Sequence, residues 1–148
     1  MAPLQMKTFL EQAQTFHKKL RAFYEEHSKE AQREDVKVFL DYMSHHEEVV
    51  GKLLKEYEED AKKEVLESWF RWSPAVGKCP NLDMVTFRPD MTHDEAVEMS
   101  MKLDECLLTM YKELQSESMS QELLDAVKSL FDMEQSEDIK AMRSNLVE

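Results

Sequence analysis

The sequence predicts an all-α fold, a bundle of four antiparallel helices, on three observations. Turn residues are scarce, two Gly and four Pro in 148 residues, whereas a sheet protein needs a turn about every 8–12 positions. Apolar residues recur at alternating spacings of three and four in four separate stretches, which is the period of one helix face. Apart from Gly51, the few Gly and Pro lie between those stretches or at their ends. A chain of this length suits one domain, so residues 1–148 read as a single bundle.

Helix one, about 3–28, opens at Pro3, a residue tolerated in a first turn. It carries Phe9, Ala13, Phe16, Leu20, Phe23 and His27. Helix two, about 35–69, carries Val36, Phe39, Met43, His46, Val50, Leu53 and Tyr57. Pro74, Gly77, Pro80 and Pro89 then mark a crossover of about 70–91. Helix three, about 93–116, opens on Thr92-His93-Asp94-Glu95, where Thr92 and Glu95 form a capping box. Its stripe is Val97, Ser100, Asp104, Leu107, Tyr111 and Leu114. Helix four, about 119–145, opens on a second box of Ser118 and Gln121 and carries Leu123, Val127, Leu130, Glu134, Glu137 and Ala141.

Connection length sets the topology. The first two helices are joined by roughly six residues and the last two by two or three, so each pair is an antiparallel hairpin. The middle connection of about twenty residues reaches about 66 Å when extended, more than the roughly 39 Å of a 26-residue helix. It can therefore run the full length of the bundle, giving an up-down-down-up order. Trp69, Phe70 and Trp72 are placed to pin it down.

The charge balance, 19 Lys+Arg against 31 Asp+Glu for a net −12, argues against a nucleic-acid partner. No apolar run approaches the roughly 18 residues of a membrane span. The N-terminus lacks a secretory pattern. Cys79 and Cys106 show no CxxC spacing, which excludes a rubredoxin-type iron site or a zinc ribbon and favours a reducing, cytoplasmic setting. Cys106 reads as a small buried apolar residue, and His45, Glu47, Glu48 and His93 as solvated.

The informative anomaly lies inside the stripes. His17 falls on a second inward line of helix one, His46 within the line of helix two, Asp104 in the third, and Glu134 with Glu137 in the fourth. Buried carboxylates are costly unless paired, hydrogen-bonded or bound to a cation. Their heights also agree. His17 and His46 lie equally far from the first turn, as do Asp104 and Glu134 from the second, each about fourteen residues or about 21 Å along the axis. All five side chains are expected in one layer near mid-bundle.

This pattern resembles the ferritin-like superfamily, most closely its small rubrerythrin-type members, over nearly the whole chain. In that family, helices one and three each give a carboxylate followed seven residues later by an aromatic, and helices two and four each give Glu-x-x-His. The matching positions here are His17 with Tyr24, Met43-x-x-His46, Asp104 with Tyr111, and Glu134-x-x-Glu137. The resemblance implies iron or manganese held by His17, His46, Asp104, Glu134 and Glu137, with Tyr24 and Tyr111 orienting the carboxylates. It implies a homodimer engaged in oxidant handling or metal sequestration. If the chain is an enzyme, it is a metal-dependent oxidoreductase or peroxidase. Only one bridging glutamate survives, as Glu134, and Met43 stands in the place of the other. A standard di-iron centre with two carboxylate bridges cannot be built from this set. A second reading stays open: a metal-free bundle acting through partner binding or self-association, its imidazoles paired with carboxylates.

Overall fold

The computed structural model describes residues 3–72, 82 and 85–146. It contains α1 (Met6–Glu30), α2 (Glu34–Asp60), a short α3 (Lys63–Leu66), α4 (His93–Ser116) and α5 (Gln121–Leu146), with two two-residue strands, β1 (Leu4–Gln5) and β2 (Trp69–Phe70). The four long helices are those expected. Each buries one stripe: Phe9, Phe16 and Leu20 from α1, Phe39, Met43 and Leu54 from α2, Leu103 and Leu107 from α4, and Leu123, Val127 and Leu130 from α5. Burying such side chains contributes about 1.5–3 kcal/mol each, and this one continuous core is what sets the site's four walls.

The helix ends explain where sequence and structure differ. The expected box at α4 is present, with Glu95 N–H donating to Thr92 Oγ1 at 3.2 Å and Thr92 N–H donating to Glu95 Oε1 at 3.0 Å. The expected Ser118–Gln121 box is not what starts α5. Ser120 does this instead, accepting from Leu123 N–H at 3.2 Å, while Ser118 turns back to the Leu114 carbonyl at 2.9 Å. The second helix ends at Asp60, well short of 69. Its last turn holds Glu58, Glu59 and Asp60 and no base, and acids there oppose the helix dipole.

Beyond that end the chain is held by backbone pairing. Strand β2 pairs antiparallel with β1, Leu4 opposite Phe70 and Gln5 opposite Trp69. Phe70 also bridges to Ser118, and Arg71 N–H donates to the Glu117 carbonyl at 3.0 Å. Of the three aromatics expected to pin the crossover, Phe70 is fully buried, edge-on to Phe9 at 6.3 Å between ring centroids. Trp69 is exposed. At the opposite pole Gln32 N–H donates to the Pro89 carbonyl at 2.8 Å, and Phe39 meets His93 edge-on. The connection from α2 to α4 thus starts at one pole and finishes at the other, which fixes the up-down-down-up order.

Candidate metal centre

Mid-bundle, all four long helices contribute polar side chains. His17 of α1 is buried between two carboxylates: its Nδ1 lies 2.5 Å from Glu47 Oε2 of α2, and its Nε2 lies 2.7 Å from Glu134 Oε1 of α5. On the other side of the layer, His46 Nε2 of α2 lies 3.0 Å from Asp138 Oδ1 of α5. Asp104 of α4 joins this pair, and one donor atom from each of His46, Asp104 and Asp138 falls within 4.8 Å of the others.

The site residues expected from sequence are therefore distributed unevenly. His17 and Glu134 form one group, and His46 and Asp104 belong to another. Glu137 stands apart from both, turned toward Lys140 at 3.4 Å. Two residues in the layer escaped the sequence reading. Glu47, assigned there to a solvated face, is only 1% exposed. It continues the line Met43, Glu47, Val50, Leu54 at spacings of four, three and four, which was its available signal. Asp138 follows Glu134 by four residues where Glu137 follows by three, and a helix face admits either spacing. His45 is exposed as expected, one residue from the inward-facing His46.

The two expected aromatic partners are both buried, and Tyr111 sits against Glu134, whose charge and hydrogen bonding add to burial in raising its hydroxyl. Tyr24 donates its hydroxyl to Ser100 Oγ at 3.1 Å. The second oxygen of Glu47 is buried without a hydrogen-bond partner among the described residues. Cys106 is half-buried against the core and is not a free thiol; Cys79 lies outside the described residues.

The electrostatics are those of crowded acids. Burial, then repulsion from Asp138 and Glu47, raises the Asp104 carboxyl well above its ordinary range. Burial also raises Asp138, against the pull of His46. For His17, burial opposes the charged ring, but Glu134 and Glu47 outweigh it and hold the imidazole well above its ordinary value. His46 is likewise raised, its burial outweighed by Asp138 and Glu47. Four carboxylates face two imidazoles, so with all four ionised two negative charges would stay uncompensated even with both rings protonated, and without a cation burial and mutual repulsion instead favour the protonated forms of Asp104 and Asp138. A divalent cation would supply the missing charge, and imidazole with hard carboxylate oxygens suits iron(II) or manganese(II).

The two sides of the layer open differently. Asp104 and Asp138 line a groove of about 550 Å³ between α4 and α5, walled by Met101, Leu108, Ile139 and Met142. His17 and Glu47 back onto a smaller cleft of about 270 Å³ between α1 and α2, rimmed by Lys18, Arg21, Lys52 and Lys55.

This arrangement, two helical hairpins and a long crossover around a layer of acids and imidazoles, is a ferritin-like fold. A Thermotoga maritima protein whose crystal structure is described as that of a "putative ferritin-like diiron-carboxylate protein" superposes with a TM-score of 0.62 over 99% of this chain and 98% of its own, at 15% identity. At that identity the likeness is one of fold. No family model and no curated protein matches the chain.

Proposed function

We propose that this chain is a ferritin-like metal-binding protein that holds iron or manganese between His46, Asp104 and Asp138. One observation carries the reading: three helices place an imidazole nitrogen and two carboxylate oxygens within 4.8 Å of one another. The likeness to a protein described as a diiron-carboxylate protein supports iron as the ion. Bound there, such a metal supplies Lewis acidity or one-electron chemistry, while the three side chains hold it and the α4–α5 groove admits small molecules. Metal sequestration and oxidant handling are both consistent with this site. Consumption of peroxide by iron-loaded protein separates them.

Elemental analysis of protein purified without chelator tests the proposal, together with melting temperature in iron(II), manganese(II) or EDTA. An ion specific for the folded state raises that temperature by mass action. Protein that carries no ion and melts identically in all three conditions would overturn the reading.

A metal-free bundle acting through partners or self-association is the second reading. It is favoured by the His17 group, whose ring is satisfied without an ion, and by the exposed Met101 and Ile139 beside the groove. It predicts no response to EDTA and a concentration-dependent oligomer, with a homodimer through α4 and α5 as the simplest form.

A further inference from the structure

We infer that this layer holds one metal ion and not two, because His17 fills the half where a second ion would sit. The inference rests on the metal-binding reading above and goes beyond it in fixing the number of ions. A metal is bound by an imidazole through a ring-nitrogen lone pair. Both nitrogens of His17 are already engaged with carboxylate oxygens, at 2.5 and 2.7 Å. The same two bonds take one oxygen each of Glu47 and Glu134, the carboxylates that flank this half of the layer. Glu47 and Glu134 come from α2 and α5, which also supply His46 and Asp138, so the ring bridges the helices that a second ion would otherwise bridge.

The ring has little room to withdraw. His17 is 4% exposed and packs edge-on against Phe16. Helices α1 and α2 approach closely beside it: a Cβ on Gly51 would lie 3.8 Å from His17 Cβ. The remaining oxygen of Glu47 is buried without a partner among the described residues, so this carboxylate would favour a cation if the ring were gone. The other half is already a set for one ion, with His46, Asp104 and Asp138 converging and the groove leading to them.

The test is a count of manganese(II) ions per chain, by elemental analysis after gel filtration, with electron paramagnetic resonance on the same samples. The wild type is expected to hold one ion per chain with the six-line spectrum of an isolated ion. His17→Glu and His17→Ala are expected to approach two ions per chain, with the broadened spectrum of a coupled pair. Two ions per chain in the wild type would overturn this inference while leaving the metal-binding reading intact. No ion at all would overturn both. Variants that stay at one ion would show that His17 is not what excludes the second. If neither variant folds, the wild-type count alone decides.

Discussion

His17 Nε2 lies 2.7 Å from Glu134 Oε1, a bond that joins α1 to α5 across 117 positions of sequence. With the 2.5 Å contact from Nδ1 to Glu47, it makes one imidazole the link between three of the four long helices. Removing one partner of a buried ion pair typically costs about 3–5 kcal/mol, because the other charge is left unpaired.

The clamp has a pH signature. Burial lowers the His17 pKa but Glu134 and Glu47 raise it further, leaving it above its ordinary value. A group raised by folding contributes stability fully below its unfolded pKa of about 6.5 and loses it as pH climbs through the folded value. Urea titrations of metal-free protein at a series of pH values should therefore show wild type losing stability more steeply above neutrality than His17→Gln. Parallel curves would contradict the clamp.

Asp104 gives the opposite kind of variant. Its raised carboxyl, caused by burial and then by Asp138 and Glu47, means that ionising it works against the metal-free fold. Asp104→Asn should abolish binding of manganese(II) yet raise the melting temperature of metal-free protein at neutral pH. The gain would be roughly 2–4 °C for each kcal/mol of repulsion relieved. A variant that melts lower than wild type in EDTA would argue that Asp104 is paired without an ion.

Two neighbours on β2 should behave differently. Phe70 is fully buried against Phe9, and truncating such a side chain costs about 3–5 kcal/mol. Trp69 is 46% exposed, and Trp69→Ala should cost less than about 1 kcal/mol. Thermal melts of the two alanine variants compare them directly.

Gly51 lies within α2, and a Cβ there would meet only His17 Cβ, at an ordinary contact distance of 3.8 Å. Glycine inside a helix is less favourable than alanine by roughly 0.5–1 kcal/mol. Gly51→Ala should stabilise the protein by about that amount. A drop in stability would mean that the α1–α2 approach tolerates no added atom.

How much of this was legible beforehand depended on whether the signal was local. The Thr92–Glu95 box is written in four consecutive residues and occurs as read. The hairpins followed from periodicity and loop length, which are also short-range properties. The pairing of β1 with β2 had no such signal, since two residues carry no period and their partner lies more than sixty positions away. In the site, helical spacing located the layer but not every member of it. It could not choose between Glu137 and Asp138, three and four residues after Glu134. It also allotted His46 and Glu47 to different environments because adjacent residues point about 100° apart. In a bundle with neighbours on two sides, both directions are interior: His46 turns to α5 and Glu47 to α1.

The two mouths of the polar layer carry opposite signs. Between α1 and α2, Lys18, Arg21, Lys52 and Lys55 surround the cleft behind His17, with the half-buried Glu48 paired to Arg21 and Lys52. Between α4 and α5, Asp104 and Asp138 are joined by Glu98 and Glu105 against Lys102 and Arg143. The basic rim of the first would disfavour a positively charged solute, whereas the acidic rim of the second would favour one. The bundle thus presents two chemically distinct faces, basic beside His17 and acidic beside Asp104.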